Sequence, residues 1–427
     1  MRFGILLLLL LSIFACSKQA RESKQKDGRA GKVFRHTYGP GGQYSYFIYV
    51  PGKVLEGDQA PLIVALDAHG RGKKAMGLFR KAMAGEDYLI AGLNSFSNSA
   101  PEPVALVRPG IQDILRRYQA NQERITLFGF SGGARAAGAI ASADPKINAL
   151  FASAAGFDVQ HNMKNKSQFH AFLAAGIYDF NYWEIQRLSR ELSASGISRH
   201  LTTFKGDHEY PPQQTIQEML LWERFKAMRN GKLKKNSALI NAFIKTQSSK
   251  ADSLLAQQKS YKAYKVLGKT INFLEGLHIP RNILKQYQKL SNFTQVKNHM
   301  KNQQKYERLE KQMQMEYYKA LNHKNANWWR NQIKNLEVQL KDAPAPKKPV
   351  YRRLKNFLGM IFFTSTRNSF RNDPYSTRRF LKLYGLVAPE NPDYWFFRAK
   401  YQARQGHTDT AMAYLQESLQ KGFIHES

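Results

Sequence analysis

The sequence predicts an α/β domain built on a doubly wound, mainly parallel sheet, followed by an all-α region. Between residues 35 and 230, apolar runs of strand length alternate with segments of helical spacing, which is typical of a parallel sheet covered on both faces. After residue 231 the strand signals stop, and apolar residues recur at three- and four-residue intervals. Charge divides the chain similarly, since residues 1–212 carry 26 basic and 17 acidic side chains, against 39 and 15 in residues 213–427.

The composition indicates a folded protein and excludes some kinds of site. The chain has 427 residues, a net charge of +33 and 43% hydrophobic residues, which is enough apolar material for folded cores. Its single cysteine excludes an intramolecular disulfide and a cysteine-based zinc site. The histidines are scattered without the spacing of metal ligands, so we expect neither a metal nor another cofactor.

The first 15 residues have the pattern of a secretory signal peptide. Arg2 precedes an unbroken apolar run at residues 5–11, which is too short to span a bilayer. Cys16 follows, and the segment resembles the lipobox of bacterial lipoproteins, which implies a lipidated Cys16 at the mature N-terminus. The alternative is an ordinary signal followed by a cysteine that is a buried or free thiol. Residues 16–34 are polar and predict a flexible tether.

This segment also predicts where the protein is located and what it meets there. A lipid-anchored chain of this type belongs to the bacterial cell envelope, on the periplasmic face or in the outer membrane, and its lipid on Cys16 makes the membrane a partner. An exported protein does not meet genomic DNA, and the sequence has no RNA-binding or helix-turn-helix signature. We therefore expect no nucleic-acid partner despite the positive charge.

The predicted elements of the α/β domain follow one another closely. Apolar or β-branched runs predict strands at residues 44–50, 61–66, 88–93, 124–130, 149–156, 169–176 and 199–204. Helical spacing predicts helices at residues 111–119, 131–141, 183–192 and 214–228.

The most informative motif lies between a predicted strand and a predicted helix. Gly129, Ser131 and Gly133 form a G-x-S-x-G sequence, in which the glycines permit a turn too tight for larger side chains. Such a turn holds the serine hydroxyl above the sheet, at the N-terminus of the following helix. Ser131 is therefore the candidate nucleophile, and the N–H of Gly132 is a candidate oxyanion donor.

A serine nucleophile needs a base and an acid that orients the base. The order serine, aspartate, histidine is met by Ser131, Asp179 and His208, with the last two in loops just after predicted strands. Asp158 also follows a strand and is the alternative acid. A second oxyanion donor is expected after the strand at 61–66, where the N–H groups of Gly70 and Arg71 are the candidates.

These motifs together are similar to a known family. His69-Gly70 after a strand, the motif at 129–133, Gly176-x-x-Asp179 and the stretch at 206–211 resemble the compact α/β-hydrolases of the esterase and depolymerase type. That group includes feruloyl esterases and polyhydroxybutyrate depolymerases. The resemblance implies an α/β-hydrolase fold over residues 35–230 and hydrolysis of a small or polymer-linked carboxylic ester.

Two other functions remain open on the sequence. The chain could be an inactive hydrolase-fold protein that acts as a scaffold, or a serine peptidase of the prolyl-oligopeptidase type. No long insertion separates the predicted strands, so we expect an open site with little room for a large lid.

Residues 231–427 are predicted to be helical and without a catalytic role. Residues 341–349 are rich in proline and predict a break between helices. Near 391–422, a set of bulky, small and turn residues resembles a tetratricopeptide repeat: Trp395, Ala399, Gly406, Ala411 and Leu415. Residues 260–277 look like a degenerate relative, so we expect an irregular helical solenoid or bundle.

The positive charge of this region has two interpretations. It is either a solvated helix surface or a surface that attracts an anionic envelope component or an acidic protein partner.

Overall fold

An eight-stranded sheet forms the centre of the N-terminal half. The computed structural model describes residues 31–83, 87–98, 102–159 and 169–423. The strands are β1 (Lys32–Tyr38), β2 (Tyr44–Val50), β3 (Ala60–Asp67), β4 (Leu89–Leu93), β5 (Ala120–Phe130), β6 (Ala149–Ser153), β7 (His170–Gly176) and β8 (Arg199–Phe204). Their order is β1-β2-β4-β3-β5-β6-β7-β8. The pairs β1–β2 and β2–β4 are antiparallel, and the remaining pairs are parallel.

The seven strands expected from the sequence are present, and one more precedes them. β1 begins at Lys32, three residues before the expected start of the domain, and pairs along its whole length with β2. Its residues alternate between exposed and partly buried positions, as an edge strand with one solvated face does. The predicted signal peptide, Cys16 and most of the predicted tether lie outside the described residues.

Helices cover both faces of the sheet. In this half they are α1 (Gly52–Leu55), α2 (Gly72–Ala82), α3 (Pro103–Arg117), α4 (Gly132–Ala143), α5 (Tyr182–Ala194) and α6 (Gln213–Arg229). The central strands are apolar on both sides because both sides are buried: every residue of β4, β6 and β7 is buried.

The C-terminal helical region consists of α7–α15 and contains no strand among the residues described after 230. Its helices are α7 (Ser237–Ala256), α8 (Ser260–Phe273), α9 (Arg281–Ser291), α10 (Thr294–Ala320), α11 (Ala326–Asp342), α12 (Lys348–Asn372), α13 (Pro374–Val387), α14 (Pro392–Arg404) and α15 (Thr408–Gln420). The proline-rich segment predicted as a break separates α11 from α12.

The first helices of this region belong to the core of the sheet. Phe243 of α7 and Phe273 of α8 are buried in the same apolar cluster as Trp222 and Phe225 of α6. Phe273 also lies edge-on to His200 of β8, with ring centroids 4.9 Å apart. Residues on either side of the predicted boundary at 230 therefore share one core.

The later helices form a separate apolar cluster. Trp329 of α11, Leu354 and Phe362 of α12 and Tyr384 of α13 are almost fully buried in it. The last two helices, α14 and α15, pack as an antiparallel pair across a turn at Gly406, whose φ of 80° favours glycine. A tetratricopeptide-like character of this pair stays a prediction. Within the described part of the chain, no helix is both long and apolar enough to cross a bilayer.

Candidate active site

Ser131 lies on a sharp turn between β5 and α4. Its φ of 55° and ψ of −122° are strained for a residue with a side chain. A Cβ atom on Gly129 would collide with the carbonyl of Gly133, and one on Gly133 would collide with the carbonyl of Leu66. The N–H of Ser131 donates to the carbonyl of Ser153 at 2.9 Å. Close packing that only glycines allow therefore maintains the strained turn.

The structure brings the three predicted side chains together. Ser131 Oγ lies 2.9 Å from His208 Nε2, and His208 Nδ1 lies 3.1 and 3.2 Å from the two carboxylate oxygens of Asp179. An ionised carboxylate only accepts hydrogen bonds, so the Nδ1–H donates to Asp179. Nε2 then has a free lone pair, which can accept the hydroxyl proton of Ser131.

The strand register explains how distant residues meet. Asp179 follows β7 and His208 follows β8, and these parallel strands pair Gly176 with Phe204 at their carboxyl ends. The loops that leave the two strands therefore start side by side. Residues 29 positions apart are placed in contact by this register.

The surroundings of the acid and the base differ in polarity. Asp179 is fully buried and accepts a further hydrogen bond of 2.8 Å from the N–H of Asn181. The His208 ring stacks on Phe180, with centroids 4.4 Å apart, and lies 5.3 Å from the Phe130 ring. Because His208 Nδ1 contacts Asp179, the structure favours Asp179 over Asp158 as the partner of His208.

The loop after β3 differs from the sequence prediction. The N–H of Gly70 donates to the carbonyl of Asp67 at 3.1 Å, and the N–H of Arg71 points to Asp67 Oδ1 at 3.4 Å. Neither residue lines the cleft that contains Ser131. The assignment of Gly70 and Arg71 as oxyanion donors is therefore wrong, because the buried Asp67 carboxylate and its carbonyl turn these amides back on the loop.

Asp67 is the centre of a polar network beside the site. It receives hydrogen bonds from the Arg71 guanidinium at 2.9 and 3.1 Å, from the N–H of His69 at 2.9 Å, and from the Tyr210 hydroxyl. Burial opposes ionisation of Asp67, but these donors outweigh it and lower the pKa of the carboxyl below its usual value. Tyr210 stands two residues after His208, so the network links the β3 loop to the histidine loop.

A cleft of about 1130 Å³ opens above the candidate nucleophile. Ser131, Gly132 and His208 line it, together with Asn98 and with Ala68, the residue after β3. Gly132 is the first residue of α4, so its N–H has no acceptor within the helix. The Asn98 carboxamide packs against Gly132 so closely that a Cβ there would collide with it. Sequence reasoning missed Ala68 and Asn98, which no motif marks.

The opposite wall of the cleft comes from the C-terminal helical region. Met360 and Phe363 of α12 and Val387 of α13 line it. The sequence did not predict this wall, because it comes from helices far along the chain.

Helix α12 is joined to the loops that carry the acid and the base. Arg352 forms a two-pronged ion pair with Asp207, the residue before His208, at 3.0 and 2.6 Å. The carboxylate raises the pKa of Arg352. The Asn356 side chain donates to Asp207 at 2.7 Å and to the carbonyl of Tyr178, the residue before Asp179, at 2.8 Å.

A buried ion pair reinforces the same contact. Arg353 of α12 and Glu310 of α10 are 2.7 Å apart and almost fully buried. Arg353 also donates to the carbonyl of Ile177 at 2.7 Å, and Glu310 accepts from the indole N–H of Trp183 at 2.8 Å. These bonds satisfy the buried charges and connect the helical region to α5 and to the loop after β7.

Among the described residues, no group of three or more His, Cys, Asp or Glu side chains is arranged to hold a metal ion.

Solved structures that resemble this chain cover a little under half of it. An S-formylglutathione hydrolase from Staphylococcus aureus has 14% identity and a TM-score of 0.38, with 46% of this chain and 97% of that chain covered. A ferulic acid esterase has 12% identity and a TM-score of 0.36, with 45% and 95% covered. Fungal esterases from Rhizomucor miehei give 15% identity and a TM-score of 0.36, with 48% and 88% covered.

No protein-family model matches the chain, and no curated protein matches it in sequence. The strand order, the two antiparallel pairs at the β1 edge and the serine turn after β5 are observed directly. They are the features by which the fold is recognised. The chain therefore has the α/β-hydrolase fold, joined to an all-helical region that lines the cleft above the serine.

Proposed function

We propose that the protein is a serine hydrolase of carboxylic esters, with Ser131 as nucleophile, His208 as general base and Asp179 as the acid that orients it. The observation that carries this proposal is the contact of 2.9 Å between Ser131 Oγ and His208 Nε2, with Asp179 on the other ring nitrogen. The strained turn at Ser131 supports it, because such strain persists where the surrounding structure maintains it for function.

The reaction has two halves. His208 Nε2 takes the hydroxyl proton as Ser131 Oγ attacks the ester carbonyl carbon, and the same proton passes to the leaving alcohol as the ester bond breaks. Water then attacks the acyl-serine, giving one proton to His208. Collapse of the second tetrahedral intermediate releases the carboxylic acid and returns that proton to Ser131.

Each tetrahedral intermediate carries an oxyanion that needs hydrogen-bond donors. The N–H of Gly132, at the start of α4, is one donor, supported by the helix dipole. We assign the second donor to the N–H of Ala68, since Ala68 lines the cleft with Ser131 whereas Gly70 and Arg71 do not. This assignment replaces the one made from sequence.

The decisive experiment is labelling of the purified protein (residues 17–427) with a fluorophosphonate, beside Ser131→Ala. Hydrolysis of p-nitrophenyl acetate and butyrate is measured in parallel with a panel of peptide substrates. Labelling and ester hydrolysis that disappear in Ser131→Ala support the proposal. Cleavage of peptides in preference to esters would replace it with a peptidase. A folded wild type that does not label would leave the scaffold function.

We also propose that the protein is exported and anchored by a lipid on Cys16. The support comes from the sequence alone: a basic start, a short apolar run and a cysteine at the predicted cleavage point. Metabolic labelling with a radioactive fatty acid, beside Cys16→Ser, tests it. Wild-type protein should carry the label in the membrane fraction, and an unlabelled wild type would refute the anchor.

A further inference from the structure

The cleft above Ser131 has one wall from each half of the chain. On the sheet side it is lined by Phe96 and by Ala136 and Ala139 of α4, and on the helical side by Met360, Phe363 and Val387. These six side chains are apolar. The open cleft of about 1130 Å³ has room for a drug-sized ligand, so an acetyl ester would leave most of it unfilled.

The helical wall is fixed in place. Arg352, Arg353 and Asn356 tie α12 to the loops after β7 and β8, within about three turns of Met360 and Phe363. Asn356 itself lines the cleft. Phe363 contacts the rings of Tyr384 and Phe397, at centroid distances of 6.2 and 5.5 Å. The wall is therefore part of a packed core rather than a loose cover.

Gly359 lines the helical wall and, having no side chain, leaves space in the cleft at its position. It lies inside α12 with a helical backbone, where glycine is less favourable than alanine. The atom nearest to an added Cβ would be Val387 Cγ1 at 3.7 Å, which is an ordinary contact. Neither backbone conformation nor crowding at the Cβ position requires glycine there. A longer side chain would extend along the lining of the cleft.

Charged side chains also line the cleft, among them Arg135, Lys355, Arg367 and Asp393. Arg135 is paired with Glu184 at 2.5 Å, and Lys355 is paired with Glu337 at 3.0 Å. Arg367 is exposed. Burial against the six apolar side chains favours an apolar part of a substrate by about fourfold per methylene.

We propose that the cleft between α4 and the helices α12 and α13 is an apolar subsite that selects esters with a bulky apolar substituent, on the acyl or the alcohol side. The inference rests on the proposed ester hydrolysis and adds the substrate class. The C-terminal helical region is then the part of the chain that determines specificity.

The test compares chain lengths in two series. One series is p-nitrophenyl esters from acetate to decanoate, and the other is acetate esters of alcohols from ethanol to decanol. In the wild type, kcat/KM should rise at least tenfold from the shortest ester to a medium-chain ester in one series, which tells whether the acyl or the alcohol side occupies the subsite.

A larger side chain in the subsite should remove the preference for the longer ester. Gly359→Leu should lower the octanoate-to-acetate ratio of kcat/KM (or the octyl-to-ethyl ratio) at least tenfold, and Ala139→Leu on the opposite wall should do the same if one variant fails to fold. Gly77→Leu is the matched control. Gly77 lies in α2, away from the cleft, with nothing within 4 Å of an added Cβ, so its ratio should stay at the wild-type value.

The results distinguish failure of the subsite proposal from failure of the proposed function. Wild-type protein that labels with fluorophosphonate and hydrolyses acetate, but shows flat profiles in both series or an unchanged ratio in Gly359→Leu and Ala139→Leu, overturns the subsite alone. Wild-type protein that neither labels nor hydrolyses any ester overturns the proposed function.

Discussion

Arg352, in the C-terminal helical region, donates two hydrogen bonds of 3.0 and 2.6 Å to the carboxylate of Asp207. Asp207 directly precedes His208, the histidine that contacts Ser131. The Arg352 guanidinium also lies over the Tyr178 ring, 4.2 Å from the centroid and one residue before Asp179. One side chain 144 positions from His208 therefore contacts both loops of the candidate triad. We therefore expect Arg352 to act as a positioning residue, since these contacts involve neither Ser131 nor the His208 ring.

Removal of the hydrogen bonds between Arg352 and Asp207 should lower the reaction rate strongly but the free energy of unfolding only slightly. The Arg352 and Asp207 side chains are 48% and 42% exposed, so the pair contributes about 1 kcal/mol or less to stability. A histidine displaced by about 1 Å, however, costs up to about 100-fold in rate. We expect Arg352→Ala to lower kcat about tenfold with little change in KM, measured with a p-nitrophenyl ester beside thermal unfolding.

Two further variants make that test specific. Arg352→Lys should restore part of the rate, because one charged contact to Asp207 remains possible. Arg330→Ala removes an exposed arginine of α11 whose side chain bonds to Asn327, and it should keep wild-type kcat. A loss of kcat in Arg352→Ala that merely follows a large fall in melting temperature would argue against positioning.

The identity of the acid is tested by a matched pair of variants. Asp179→Asn keeps the shape of the side chain but replaces the acceptor that holds the Nδ1–H of His208, so the ring loses the correct tautomer. We expect kcat to fall about 10⁴-fold. Asp158→Asn, at the alternative acid, should retain most of the activity. The assignment would be reversed if Asp158→Asn lost activity and Asp179→Asn kept it.

The parts of the fold that the sequence predicted are those with a local physical signature. Parallel strands buried on both faces are continuous apolar runs, so β2 to β8 were located to within a few residues. β1 was missed because KVFRHTY is a polar edge strand with an exposed face. The candidate triad was found because G-x-S-x-G requires glycines at fixed positions and because loops after neighbouring strands converge.

The features that the sequence did not predict depend on contacts between distant residues. Nothing near Arg352 indicates that it reaches Asp207, and nothing near Phe273 indicates that it packs on β8. Gly70 and Arg71 were misassigned for a related reason. A Gly-rich turn after a strand is compatible with oxyanion donors, and only the geometry shows that Asp67 already accepts from those amides.

The Asp67 network should make stability depend on pH in a defined direction. Its pKa in the folded state lies below the unfolded value of about 3.9, so it contributes stability that is present above that value and lost as pH falls toward the folded pKa. Asp67→Asn should therefore cost about 3 kcal/mol at pH 7, because the buried partner of Arg71 is removed. Against the wild type, that difference should shrink below about pH 4.

Urea unfolding of both proteins at pH 7, 5 and 3.5 measures this difference. Tyr210→Phe is the control for a single lost donor and should cost only about 1 kcal/mol. A gap between wild type and Asp67→Asn that stayed constant from pH 7 to 3.5 would mean that the carboxylate charge is not what stabilises the loop.

The shared core predicts that the sheet and the first C-terminal helices unfold together. Phe273 of α8 is fully buried, and its ring stacks on Phe243 of α7 at 5.2 Å. Phe273→Ala should lower the free energy of unfolding by about 3–5 kcal/mol, as large-to-small changes in a core do. Phe293→Ala, at a side chain 37% exposed, should lower it by less than about 1 kcal/mol.

Because Trp222 of α6 lies in the same cluster, loss of fluorophosphonate labelling and the change in tryptophan fluorescence should shift to lower urea by the same amount in Phe273→Ala. A variant that lost helical structure at lower urea but kept the wild-type midpoint for labelling would show instead that the sheet half is stable without these helices.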